Sequence, residues 1–202
     1  MNWLEYENAA LNEGYQIVCG IDEAGRGPLA GPVCAACVVL PKGRVIEGVN
    51  DSKKLTEKKR DALFDVVKEQ ALDFGIAFAS EQEIDEINIL QATFLAMRRA
   101  TEQLSVVTPD IALIDGNKKP GLAIAERCVI KGDAKSANIA AASILAKVTR
   151  DRYMLEIAQK YPEYHFEQHK GYGTKLHYEM IEKYGICEIH RKTFLKKILN
   201  HE

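Results

Sequence analysis

Four acidic residues stand where chemistry is most easily assembled. Asp22 and Glu23 follow the apolar run 17–21, Asp115 closes the short run 111–114, and Asp133 precedes a long helical pattern. Carboxylates gathered in one place repel unless positive charge compensates them. A divalent cation that prefers hard oxygen ligands, Mg²⁺ or Mn²⁺, is the usual partner for such a set. Two such ions ~3.5 to 4 Å apart can clamp the attacking water and the leaving oxygen of a phosphodiester. Taken singly, each acid has an ordinary reading, because an Asp after a strand is often a turn former or a helix cap. Spacing alone leaves the metal reading and the structural one evenly balanced.

The residues after Glu23 run Ala24-Gly25-Arg26-Gly27-Pro28. This is not a dinucleotide fingerprint, since G-x-G-x-x-G is lacking and a strand rather than a helix follows. Glycines flanking an arginine let backbone approach a ligand closely. Exposed N–H groups there can bond a sugar hydroxyl, the group that distinguishes RNA from DNA. A tight hairpin turn needing positive φ is the plainer reading. Ser52 and Lys53, with Lys54, offer hydroxyl and ammonium donors for phosphate, although lysine pairs commonly face solvent. Lys118, Lys119 and Lys131 add positive charge near the acids. Tyr172, in the segment His169-Lys170-Gly171-Tyr172-Gly173, can pack against a sugar or base or rest half-buried on the fold. Arg191, Lys192, Lys196 and Lys197 either touch nucleic-acid backbone or solubilise a terminal helix. The five histidines all come late. H-E-x-x-H is absent, which argues against a zinc hydrolase, and His169 suits a structural or phosphate-side role.

The elements that must position these groups follow from periodicity. A short helix is expected over 2–13, with Trp3, Leu4, Tyr6 and Leu11 packing. Strands are expected over 16–21, ending at Asp22, and over 33–40, forming a hairpin. Thr56 reads as the N-cap of a helix reaching Glu69, with Ala62, Leu63, Val66 and Val67 inward. A strand over 73–80 leads to Ser80 and Glu83, a capping box for a helix running toward Gln103. Strands over 111–114 and 122–130 precede a helix over 136–160 whose first half is crowded with alanine. A mixed sheet covered by helices on both faces is the natural α/β solution. The expected division is a catalytic core over 1–160 and a small C-terminal helical, substrate-binding region over 161–202.

Composition constrains the class. The 202 residues are 47% hydrophobic and 28% charged, which suits a globular chain able to bury a core without staples. The net charge of -2 does not advertise a nucleic-acid binder, but local patches matter more than the sum. Five cysteines, an odd number, argue against a disulfide framework, and Cys34-x-x-Cys37 lies in an apolar run that reads as a buried strand. No leader is evident and no window approaches the ~18 to 20 apolar residues of a membrane span. The expectation is a cytoplasmic protein.

The combination resembles the type 2 ribonuclease H family, the bacterial ribonucleases HII. The matching stretches are GIDEAGRGPLAGPV from Gly20, NDSKKL from Asn50, EIDEINIL from Glu83, IDGN from Ile114, KGD from Lys131, AASILAKVTRD from Ala141 and HKGYG from His169. They stand in family order and span about residues 17 to 195.

The resemblance implies a ribonuclease H-like mixed sheet flanked by helices. It implies a metal-binding quartet of Asp22, Glu23, Asp115 and Asp133, holding two Mg²⁺ or Mn²⁺ ions in the catalytic complex. Gly25, Arg26 and Gly27 would read the 2′-hydroxyl at an RNA–DNA junction. Tyr172 would stack under the deoxyribose that follows the ribonucleotide, and Ser52 and Lys53 would contact phosphate. The resemblance also implies Asp133 rather than Asp151 as the ligand, Asp151 being placed to pair with Lys147. The implied reaction is hydrolysis 5′ to a ribonucleotide in duplex DNA, and of RNA strands in RNA/DNA hybrids, leaving 3′-hydroxyl and 5′-phosphate. The implied partners are those duplexes, bound by a monomer. The alternatives are a junction-indifferent hybrid ribonuclease, against which the glycine loop argues, and a non-catalytic hybrid-binding module, against which the four acids argue.

Overall fold

The two apolar runs that flank the glycine-rich segment form strands β1 (Val18–Ala24) and β2 (Val33–Val39). They pair antiparallel from Gly20 opposite Val38 to Ala24 opposite Cys34. This computed structural model describes residues 2–49 and 55–196, so Ser52 and Lys53 lie outside the described residues. Strand β1 continues through Asp22 and Glu23 rather than ending before them, because β2 supplies partners as far as Ala24.

Helix α1 (Glu5–Asn12) precedes β1. After β2 come α2 (Glu57–Gln70), β3 (Asp73–Ala79), α3 (Glu81–Glu102), β4 (Ile111–Asp115), β5 (Ala125–Val129) and α4 (Ala137–Lys160). The sheet order is β3-β2-β1-β4-β5. β3, β2 and β1 run antiparallel, and β4 and β5 lie parallel to β1. Helices α2 and α4 cover one face and α3 covers the other. The period-two alternation of β2 sends Cys34 into the first core and Cys37 into the second, so the C-x-x-C is a pair of buried, free thiols on opposite faces.

Local chemistry fixes the helix starts. The Thr56 side chain accepts from Lys59 N–H at the head of α2, and Ser80 and Glu83 form the full capping box of α3. Two expectations shift. Leu63, Val66 and Val67 pack inward on α2 as expected, but Ala62 faces solvent and Phe64 is buried instead. Helix α3 is kinked at Asn88, whose φ is 67°. The Asn88 side-chain oxygen accepts from Leu90 and Gln91 N–H and recaps the second half. The alanine-rich stretch of α4 rests directly on β1. A Cβ at Gly20 would lie 2.2 Å from the Asn138 carbonyl carbon, so nothing larger than glycine fits that crossing.

Beyond α4 come the short helices α5 (Phe166–His169) and α6 (Lys175–Tyr184), whose flanking segments meet residues 29–31: Leu29 N–H donates to Gly171 O and Gly31 N–H to Ile189 O. A single antiparallel bridge joins Ala30 to His190. Among the described residues no helix is long and apolar enough to cross a membrane.

Candidate active site

The parallel pairing of β1 with β4 sets Ile21 beside Ile114, which brings Asp22 and Asp115 to the same edge of the sheet. Ligands in α/β sheets gather outside such carboxyl-terminal strand ends. Asp133 arrives from a different element, the 3₁₀ turn Gly132–Ala134 that leads into α4. The turn is tied to the strand end by Gly132 N–H, which donates to Asp115 Oδ1 at 2.6 Å. A Cβ on Gly132 would lie 2.5 Å from the Ile139 side-chain terminus and 3.3 Å from Asp115 Oδ1, so a larger residue here would have to displace Ile139 and crowd the carboxylate.

Electrostatics shows the four acids sharing one field. Burial holds the Asp22 carboxyl well above the usual range, and the negative charges of Glu23, Asp115 and Asp133 raise it further. Asp22 Oδ1 accepts from Glu23 N–H at 2.7 Å. Among the described residues no three His, Cys, Asp or Glu are drawn up as a ready metal cage. The donor set itself is all hard carboxylate oxygen, the type that suits Mg²⁺ or Mn²⁺. A cation there would relieve the repulsion that raises Asp22.

The segment 25–32 follows β1 directly after these acids, and two fully buried arginines hold its shape. Arg150 of α4 donates Nε–H to Pro32 O at 2.9 Å, and its other nitrogens to Ala30 O and Lys170 O, both at 3.1 Å. Arg191 donates to Gly31 O at 2.8 Å, Arg26 O at 2.9 Å and Gly25 O at 2.6 Å. Burial lowers both guanidinium pKa values, that of Arg191 to about 9. The buried Glu81 supplies opposite charge to both. Gly25 has φ +95° and its missing Cβ would sit 2.0 Å from Arg150 Nε, so only glycine serves.

One cleft is lined by Asp22, Glu23, the run 24–27, Lys147 and Tyr172. A second, on the α3 side, is lined by Glu23, Arg26, Asp115, Asn117 and Lys118 among others. Glu23 and Arg26 form the ridge between them, their side chains 3.4 Å apart. Tyr172 is 41% exposed, so its ring is available to a ligand. Its Cε1 would be 3.8 Å from a Cβ on Gly27.

The sequence model of the Ribonuclease HII family matches residues 19–197. The chain is 59% identical to Ribonuclease HII of Caldicellulosiruptor bescii over 199 residues, covering 98% of this chain and 96% of that one. It is 59% identical to Ribonuclease HII of Clostridioides difficile over 194 residues, 96% of this chain and 76% of that one. The chain belongs to the ribonuclease HII family. The crystal structure of ribonuclease H2 from Pyrococcus horikoshii OT3 superposes with TM-score 0.77 at 30% identity, over 92% of this chain and 98% of that chain. The ribonuclease H-like fold expected from the sequence is therefore present. The activity is that of a ribonuclease HII, endonucleolytic cleavage at a ribonucleotide of an RNA/DNA hybrid.

Against the ribonuclease HII pattern, the structure brings Asp22, Glu23, Gly25, Arg26, Gly27 and Tyr172 into one cleft, while Asp115 lines the neighbouring cleft that shares Glu23 and Arg26, and Asp133 is close enough for its charge to act on Asp22. His169 stands apart. It is buried, its Nε2 is 2.9 Å from Tyr164 O, and its Nδ1 accepts from Gly171 N–H at 3.2 Å, so its ring is occupied within the fold. Asp151 pairs with Lys147 at 2.8 Å as its spacing implied. Arg191, read as part of a solvent-facing or phosphate-touching tail, is instead wholly buried under the glycine loop. Arg150 and Lys147 were missed as site residues. A signal for Arg150 exists: Ile139, Ser143, Ala146, Arg150 and Met154 recur at helical spacing, and all five are buried.

Proposed function

We propose that this ribonuclease HII hydrolyses the phosphodiester on the 5′ side of a ribonucleotide in duplex DNA, and RNA strands of RNA/DNA hybrids, leaving 3′-hydroxyl and 5′-phosphate. The observation that carries the reading is the single cleft shared by Asp22, Glu23, the Gly25-Arg26-Gly27 loop and Tyr172. The acids that would act on phosphate and the loop that would inspect the sugar adjoin in sequence, so one displacement moves both.

Asp22, Glu23, Asp115 and Asp133 would hold the metal, two Mg²⁺ or Mn²⁺ ions in the catalytic complex. Bound there, the metal supplies activation of water and stabilisation of charge on the departing 3′ oxygen. The protein's own part is orientation. Backbone N–H groups of Gly25 and Gly27 and the Arg26 backbone present donors or acceptors to the 2′-hydroxyl. A site built to bond that hydroxyl discriminates strongly against its absence, because its buried polar groups are then left unpaired. Tyr172 packs under the following deoxyribose. Lys147, on the wall of the same cleft, contributes positive charge toward the phosphates. Ser52 and Lys53 would add phosphate contacts. Residues 1–160 form the catalytic core and residues 161–202 the substrate-binding region of a monomer that works in the cytoplasm.

The reading is tested by comparing three duplexes of one sequence: all DNA, DNA with one ribonucleotide, and an all-RNA strand on DNA. Cleavage of the second at the ribonucleotide, with none of the first, supports it. Cleavage of the third alone contradicts the junction role of the glycine loop.

A further inference from the structure

Three buried histidines surround the loop that carries Tyr172. His177 Nδ1 is 3.0 Å from Tyr172 O, and His177 Nε2 is 3.0 Å from His190 Nε2. His190 Nδ1 accepts from Cys187 N–H at 2.9 Å. These partners fix the tautomers. Tyr172 O can only accept, so His177 carries its proton on Nδ1. Its Nε2 is then an acceptor, so His190 carries its proton on Nε2, leaving Nδ1 free to accept from Cys187 N–H. A directed chain of three hydrogen bonds thus runs from residue 187 to the backbone of Tyr172. Burial pushes both rings down to about 4, so both are neutral in use.

The loop needs holding. Lys170 and Gly171, immediately before Tyr172, both have positive φ, at 51° and 85°. Such a conformation in a non-glycine residue persists only where its surroundings impose it. A Cβ at Gly171 would lie 2.4 Å from Ala30 O, so the loop is also wedged against the glycine-rich segment.

We propose that His177 and His190 are positioning residues of the nuclease, a neutral imidazole pair that fixes the Tyr172 backbone and thereby aims its ring at the sugar. The proposal rests on the substrate role of Tyr172 given above.

The test is a double-mutant cycle on duplex DNA carrying one ribonucleotide, using His177→Ala, Tyr172→Ala and the pair. His177→Ala should lower kcat/KM about tenfold. Added to Tyr172→Ala it should cost less than about twofold more, because the two act through one ring. His177→Asn, whose amide N–H can still reach Tyr172 O, should recover most of the loss. Independent, multiplying losses overturn the proposal while leaving the Tyr172 reading intact. A silent Tyr172→Ala overturns both. Should His177→Ala not fold, His177→Asn and ring ¹⁵N spectra of the wild-type protein decide. Protons on His177 Nδ1 and His190 Nε2 support the chain, and the opposite tautomer of His177 refutes it.

Discussion

Arg191 Nη2 lies 2.6 Å from the carbonyl oxygen of Gly25, and this contact joins the last part of the described chain to the first glycine of the Gly25-Arg26-Gly27 segment. The same guanidinium also reaches Arg26 O and Gly31 O, so one planar fork fixes both ends of the loop. Together with Arg150, which donates to Ala30 O and Pro32 O, a residue 166 positions away thus holds the backbone of this segment.

Arg191→Lys keeps the charge and loses the fork. An ammonium offers donors from one point and cannot span these carbonyls. The variant should lose about 2 to 3 kcal/mol of stability, since buried acceptors are left unpaired. Urea unfolding measures that loss, and kcat/KM on a single-ribonucleotide duplex should fall about tenfold or more. Wild-type values for both would show that the fork does not set the loop.

Gly25 and Gly27 separate folding from recognition. Gly25→Ala places a Cβ against Arg150 at φ +95° and should destabilise the fold as well as cleavage. Gly27 has open space, its nearest atom 3.8 Å away on Tyr172. Gly27→Ala should keep its stability within about 0.5 kcal/mol, yet impair cleavage at the ribonucleotide by blocking close backbone approach. Normal cleavage by Gly27→Ala would remove this residue from the sugar-reading loop.

Asp22→Asn and Asp133→Asn should each reduce cleavage about a thousandfold or more at saturating Mg²⁺, with duplex binding largely spared. Asp22→Asn should also raise the thermal midpoint in the absence of metal. Burial and three neighbouring acids hold the native Asp22 carboxyl above its unfolded value, so its ionised form opposes folding at neutral pH. A lower midpoint for Asp22→Asn would contradict that electrostatic picture.

The histidine pair gives a pH dependence of definite sign. Both pKa values are depressed to about 4 in the native protein by burial. The unfolded chain therefore binds more protons between the unfolded value and 4, and stability present above that window is lost as pH falls through it. Asp22 and Glu81 work in the opposite direction and His169, also lowered by burial, in the same one, so the measurement is made on the Asp22→Asn protein, from which one opposing contribution is removed. Its unfolding free energy should drop by about 2 kcal/mol between pH 7.5 and 5.5. A flat or rising profile would mean that the pair is not buried as neutral rings.

The sheet was largely legible because its central strands are apolar runs and α2, α3 and α4 each begin at a capping side chain, Thr56, Ser80 and Ser136. The acids were legible as a group because strand ends and helix starts are marked locally. What stayed hidden depends on contacts made far along the chain. The run 17–21 does not reveal that β2 extends the ladder past Asp22. Asn88 reads as an ordinary helical residue until its side chain is seen to recap α3. Arg191 looks like any basic residue in a late segment, and His177 and His190 become a pair only when α6 folds back. Burial of a polar side chain is a tertiary fact, and local pattern carries little of it.

The most direct test is to map the cut on duplex DNA bearing one ribonucleotide, with Mg²⁺ present, at nucleotide resolution. Cleavage between the ribonucleotide and the nucleotide on its 5′ side, with a 3′-hydroxyl on one fragment and a 5′-phosphate on the other, is the expected result. A cut on the 3′ side of the ribonucleotide, or the opposite pattern of end groups, would contradict the placement of the acids relative to the Gly25-Arg26-Gly27 loop.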